Sequence, residues 1–144
     1  MKSIKITKIY AAGAKKKKAY PLFISRISAG FPSPADDYIE KKLDLNEHLI
    51  KNPAATFFLK VEGESMLDAG IHSGDILIVD RAVHPASGNI VIARLNGELT
   101  VKRLRKEKGD IFLEPANARY KPMKIDESVE FEIWGVVKHV VHSL

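Results

Sequence analysis

The segment Val61-Glu62-Gly63-Glu64-Ser65-Met66 decides how the chain is read, because a glycine stands two residues before a serine at the end of the apolar run Thr56-Phe57-Phe58-Leu59-Lys60-Val61. Glycine lets the backbone bend sharply after a strand, so the Ser65 hydroxyl and nearby backbone N–H groups can point into one cleft. Alone, such a serine reads first as an ordinary turn residue. The added weight comes from Lys102, 37 residues further on in Glu98-Leu99-Thr100-Val101-Lys102-Arg103-Leu104. A serine nucleophile needs a base. No histidine of this chain stands in a triad motif, and a Ser/Lys dyad is one of the known variants.

Working outward, the chain from Thr56 onward reads as strands: Phe57 to Val61, Ile76 to Asp80, Asn89 to Leu95, Glu98 to Arg105, Ile111 to Glu114 and Phe131 to His142. Asn96-Gly97 is a two-residue hairpin signal, and Lys108-Gly109-Asp110 marks another turn. The runs Ile76-Leu77-Ile78-Val79 and Ile90-Val91-Ile92 are apolar on both faces, which predicts burial on both sides. Strand alternation puts Thr100, Lys102 and Leu104 on one face and Leu99, Val101, Arg103 and Arg105 on the other. An apolar-covered face suits a lysine that must lose its proton to serve as a base, whereas a strand-edge lysine simply extends to solvent. Before this β region, Asp36 to Lys51 predicts one short helix, with Asp44 as N-cap and Asn52-Pro53 as stop.

A length of 144 residues fits one domain with its own core, and the absence of cysteine excludes a disulfide framework, a thiolate metal site and a thiol nucleophile. No apolar run approaches the roughly 18 residues of a membrane span, and the first lysines precede no apolar signal-peptide region. The expectation is a soluble, cytoplasmic protein without a membrane partner. His48, His72, His84, His139 and His142 are scattered, and His139 and His142 would face opposite sides of a strand. No metal and no cofactor are expected. Met66 and Trp134 read as core residues, and Asp68 and Asp75 as turn formers.

The formal charge of +5 is distributed unevenly. Residues 1–29 hold 8 basic residues and no acidic one, including the run Lys15-Lys16-Lys17-Lys18. Of the 23 basic residues 15 remain beyond that point against 18 acidic ones, so the rest of the chain carries a formal charge of −3. Met1 to Tyr20 shows no amphipathic helix and reads as a mobile arm. Tyr20-Pro21-Leu22-Phe23-Ile24-Ser25-Arg26-Ile27 clusters large apolar side chains that pack on something. In Ser28-Ala29-Gly30-Phe31-Pro32-Ser33-Pro34 two prolines keep the chain extended around the unhindered Ala29-Gly30 bond. Such a segment reads as a Pro/Gly linker or as an extended strand that a protease cleft could bind.

Taken together, Val61 to Met66, Gly74-Asp75-Ile76-Leu77-Ile78-Val79-Asp80, Gly88-Asn89-Ile90-Val91-Ile92-Ala93 and Thr100 to Leu104 resemble the LexA-type self-cleaving serine peptidases. Within that family the resemblance is to the UmuD-type branch, through Ala29-Gly30-Phe31-Pro32-Ser33-Pro34-Ala35-Asp36-Asp37-Tyr38, Leu43-Asp44-Leu45-Asn46 and Trp134-Gly135-Val136-Val137. It runs from about Tyr20 to the C-terminus. The fold it implies is mainly β, a LexA-type peptidase domain of twisted antiparallel sheets with one or two short helices, preceded by a mobile N-terminal arm. It also implies Ser65 as nucleophile, Lys102 as base, backbone N–H groups of Glu64 and Ser65 as oxyanion hole, and Ala29-Gly30 as the bond cut. On that basis residues 1–29 are the arm removed by self-cleavage and 30–144 the peptidase core. Implied partners are a second copy in a homodimer, the RecA/single-stranded DNA filament that stimulates cleavage in the SOS response, and a UmuC-type subunit of an error-prone translesion DNA polymerase. Glu64 stands where the family commonly has Asp or Met, a change compatible with a backbone role.

Other classes explain less. A LexA-like repressor needs an N-terminal helix-turn-helix that 29 residues without two amphipathic helices do not supply. A signal peptidase shares the Ser/Lys chemistry but needs a membrane anchor. A non-catalytic interaction module of the same fold fits if Lys102 is solvated. A basic nucleic-acid-binding protein explains only the arm.

The charge asymmetry generates a prediction of its own, because sequence-independent attraction to DNA grows with the phosphates neutralised and falls steeply with salt. Uncleavable Ser65→Ala chain should bind single-stranded DNA weakly and in a salt-sensitive way, and a chain beginning at Gly30 should bind much less. Equal binding by both across a salt series would show that the arm's charge has no such role.

Overall fold

The computed structural model describes residues 4–13, 20–23 and 39–144. The Lys15 to Lys18 run and the Ala29-Gly30 bond lie outside the described residues. Two units are distinguished: residues 4–13 together with 52–144, and the segment to which 20–23 and 39–51 belong.

In the smaller unit, β2 (Tyr20–Phe23) pairs antiparallel with β3 (Ile39–Leu43). It ends in α1 (Leu45–Leu49), whose N-cap is Asp44; its carboxylate accepts the Asn46 and Glu47 N–H groups at 2.9 and 3.3 Å. Asp44 thus satisfies two of the amide donors that every helix start leaves without an intrahelical partner. The expected short helix and its cap are present, and Pro53 opens a separate single turn.

The larger unit is one eight-stranded antiparallel sheet in the order β1-β4-β5-β10-β6-β7-β8-β9. Its strands are β1 (Lys5–Ala11), β4 (Thr56–Glu62), β5 (Ile76–Asp80), β6 (Ile90–Leu95), β7 (Glu98–Glu107), β8 (Asp110–Glu114), β9 (Met123–Ile125) and β10 (Phe131–Val141). The hairpins fall where turn chemistry puts them. Asn96 and Gly97 have φ of 48° and 83°, and Lys108 and Gly109 have 48° and 84°. Two successive left-handed residues make the turn whose twist matches that of the flanking strands.

Both faces of this curled sheet are used. Leu59, Val61, Met66, Ile71, Leu77, Val79, Ile92, Val101 and Trp134 form one core with Ile4, while Val91, Ala93, Leu104, Leu113 and Val136 form a second. Neighbours in one strand, such as Val91 and Ile92, enter different cores, which is why β6 is apolar on both faces. Trp134 belongs to the first core as expected; it packs against Phe57 with ring centroids 5.3 Å apart, and the Arg81 guanidinium lies 4.4 Å over its ring.

Within the arm read as mobile, Lys5–Ala11 is instead a strand, paired antiparallel with β4 from Lys5↔Glu62 to Ala11↔Phe57. The reason is the edge of β4. An unpaired row of strand N–H and C=O groups needs a partner, and the chain's own N-terminal segment supplies it.

β10 lies between β5 and β6, and its register shifts near Gly135 opposite β6 and between Val137 and His139 opposite β5. Gly135 is there for space. A Cβ at this position would lie 2.6 Å from Val79 Cγ1 and 3.3 Å from Arg81 Cγ. Valine has no flexible end to move aside, so Gly135→Ala should lower folding stability by about 1–3 kcal/mol, the usual cost of overpacking. Urea unfolding of the two proteins checks this; an unchanged midpoint would show that the sheet relaxes freely here.

Candidate active site

Ser65 lies on a tight turn directly after β4, as the Gly-x-Ser spacing predicts. Gly63 has a φ of 111°, which side-chain-bearing residues rarely adopt, and its N–H donates to Ser73 Oγ at 3.2 Å. The Glu64 carbonyl accepts the Leu67 N–H at 3.3 Å and the Asn117 side-chain amide at 2.8 Å. Met66, fully buried, accepts the Ala69 and Ile71 N–H groups on its carbonyl at 3.1 and 3.2 Å and the Ala116 N–H on its sulfur at 3.3 Å. Among the described residues no acceptor engages the N–H groups of Glu64 and Ser65. They are the pair that the resemblance assigns to an oxyanion.

The brace from Ala116 and Asn117 is absent from the sequence reading. This loop after β8 ties down the nucleophile turn from a distance of about fifty residues. A side-chain amide donating to a carbonyl of another loop has no local pattern that would reveal it.

Lys102 sits on β7 opposite Val91 and is half-buried. Residues directly opposite in an antiparallel pair share a face, so Lys102 and Thr100 lie with Val91, Ala93 and Leu104, as the alternation predicts. Lys102 Nζ donates to Thr100 Oγ1 at 3.1 Å. Burial pushes its pKa below the ordinary lysine value, because desolvation disfavours the ammonium form.

Met66, which follows Ser65, and Val101, which precedes Lys102, share the first core. The two functional groups are not hydrogen-bonded to each other. Ser65 Oγ instead accepts the backbone N–H of Ile4 at 3.1 Å, and Ser65 is wholly buried. β1 also touches β7, so the N-terminal segment borders both strands of the site.

A buried serine on a tight turn after a strand, with a partly buried lysine on another strand of the same antiparallel sheet, is an arrangement that the LexA-type class of serine peptidase would use. Residues 21–138 match the Peptidase S24-like family, and the chain belongs to that family. It is 51% identical to Protein ImpA of Salmonella typhimurium over 130 residues, covering 85% of this chain and 83% of ImpA. It is 42% identical to Protein MucA of Escherichia coli over 137 residues, 94% of this chain and 93% of MucA. With the LexA repressor of Bordetella petrii it shares 38% over 120 residues, 83% of this chain but 53% of the repressor. Similarity across nearly the whole of ImpA and MucA, against half of the repressor, agrees with the UmuD-type resemblance. No helix among the described residues is long and apolar enough to cross a membrane.

Ile4 is 3% exposed and packs in the same core as Met66. Ile4→Asp would bury a carboxylate without a partner, which unseats the segment and opens Ser65 to solvent. A fluorophosphonate probe should label Ser65 several-fold faster in Ile4→Asp than in the unaltered chain. Equal labelling would show that Ile4 does not govern access.

Proposed function

We propose that the chain is a self-cleaving serine peptidase that cuts its own Ala29-Gly30 bond with Ser65 as nucleophile and Lys102 as general base. The observation that carries this reading is the lysine: burial lowers its pKa, and only a neutral amine can take a proton from a hydroxyl. Neutral Lys102 removes the Ser65 Oγ–H proton as Oγ attacks the Ala29 carbonyl carbon. The Glu64 and Ser65 N–H groups hold the oxyanion, and Lys102 returns the proton to the Gly30 amine as the C–N bond breaks. Water, deprotonated by the same amine, then releases the acyl group from Ser65. The reaction needs no cofactor. For it to begin, the Ile4 N–H must yield Oγ, since that hydrogen bond withdraws electron density from the nucleophile.

Family membership supports the wider proposal. Cleavage takes place in the cytoplasm during the SOS response, stimulated by the RecA/single-stranded DNA filament, and the trimmed homodimer joins a UmuC-type subunit in error-prone translesion synthesis. The second reading is an interaction module or repressor-like regulator of the same fold without catalysis. The covered Ser65 and the Lys102–Thr100 hydrogen bond favour it.

Incubation of the pure chain at rising pH, with masses of the products measured, separates the two. Cleavage should give fragments of residues 1–29 and 30–144. Its rate should rise with pH while Lys102 loses its proton and level off below the ordinary lysine pKa of about 10.4. Ser65→Ala, Lys102→Ala and Lys102→Arg should each lower the rate by roughly 10²-fold or more, as loss of a nucleophile or base does. Gly30→Val should block the cut by crowding the cleft. Full activity in Lys102→Arg, whose guanidinium stays charged, would overturn the assignment.

A further inference from the structure

Three residues that the peptidase reading leaves unused meet on the sheet behind the nucleophile turn. Asp75 immediately precedes β5 and His142 immediately follows β10. The pairing Val141↔Ile76 sets these two side by side, with His142 Nδ1 2.6 Å from Asp75 Oδ1. His72 joins them through a turn in which its own N–H donates to Asp75 Oδ2 at 2.7 Å. The imidazoles of His72 and His142 stack with centroids 4.7 Å apart, and His72 Nδ1 lies 3.8 Å from Asp75 Oδ2.

We propose that His72, Asp75 and His142 form a binding site for a divalent transition-metal ion of the zinc type. The donor set is two imidazoles and one carboxylate, which suits zinc and its neighbours and leaves a fourth position for water. One donor atom from each residue lies within 4.8 Å of the other two. On a tetrahedral ion with bonds of about 2.0–2.2 Å, donor atoms stand about 3.3–3.5 Å apart, so the His142 Nδ1–Asp75 Oδ1 pair at 2.6 Å must open while the wider separations close. The residues able to move are the right ones. The side chains of His72 and His142 are 51% and 43% exposed, while that of Asp75 is 2% exposed. Asp75 is fixed by its backbone, its carbonyl accepting the Val61 N–H at 3.1 Å and its N–H donating to the His72 carbonyl at 3.1 Å. The His72 amide already holds Oδ2, as outer partners of metal-binding carboxylates do, while Oδ1, 2.6 Å from His142 Nδ1, would turn to the ion as that contact opens. Pairing of His139 with His142 along one strand cannot make this site, and the trio comes instead from three separate segments.

The ion would tie the end of β10 to the turn at residues 72–75. Ser73 in that turn holds the Gly63 N–H, so the tie reaches the nucleophile turn by one hydrogen bond.

Zinc titration of the full-length Ser65→Ala chain by calorimetry, in a buffer that does not chelate metal, tests the proposal. The expected result is one ion per chain, a rise in Tm on adding zinc, and at least tenfold weaker binding in His72→Ala and in His142→Ala. Both histidines are half-exposed, so these variants should fold, and circular dichroism confirms it. His84→Ala should bind as the parent does. Absence of saturable binding, or undiminished affinity in either His72→Ala or His142→Ala, would overturn the site.

Discussion

The turn that carries Ser65 depends on the burial of Met66. Its side chain is wholly enclosed, and burying a methionine stabilises a fold by about 1.5–3 kcal/mol. Its carbonyl closes the single turn that follows, and its sulfur takes the Ala116 N–H. A residue held on side chain, carbonyl and sulfur has little freedom, and its neighbour Ser65 inherits that restraint. The flexible thioether belongs to the same core as Val61 of β4 and Val101 of β7, and a side chain of this kind fits irregular spaces. Loosening this residue would move Ser65 relative to everything it is meant to meet.

Lys102 shows the opposite economy. Its one hydrogen bond is to the neutral Thr100 hydroxyl, and among the described residues no carboxylate pairs with it. A carboxylate at that place would stabilise the ammonium and raise the pKa, where burial alone lowers it. Each pKa unit corresponds to about 1.4 kcal/mol between the two protonation states. Burial without a paired carboxylate therefore disfavours the charged form of Lys102.

Much of the fold was legible because its strands are defined by their own residues. β5 occupies the predicted range, and β4, β6, β7, β8 and β10 differ from theirs only at their ends; the Asn96-Gly97 turn adopts the backbone its residues prefer. β1, β2, β3 and β9 were not legible. β1 carries Lys5 and Lys8, is exposed along most of its length, and is a strand only because β4 offers it an edge. β9 is three residues long and β3 is rich in charge, so neither shows an alternation. The site divides in the same way. The turn at Ser65 and the strand face of Lys102 could be placed from local sequence, and their roles were assigned through the family resemblance, whereas the Asn117 brace, the Ile4 hydrogen bond and the His72–Asp75–His142 group depend on register between distant segments.

The position of β1 joins two problems that are usually separate. A sheet edge invites pairing with other chains, and an exposed nucleophile invites unwanted acylation. β4 ends at Glu62, three residues before Ser65, so whatever strand pairs with its edge also ends near the hydroxyl. β1 does both tasks: its ladder with β4 closes the edge, and the residue before it places an N–H on Ser65 Oγ. Its lysines point into solvent, where an edge strand gains most from charge. An extended segment seeking the same edge of β4 would meet a place already filled, and its entry would require loss of a ladder and of Ile4 from the core together. Access to Ser65 is thus tied to the register of one strand pair, and one contact both protects the sheet and keeps the serine occupied.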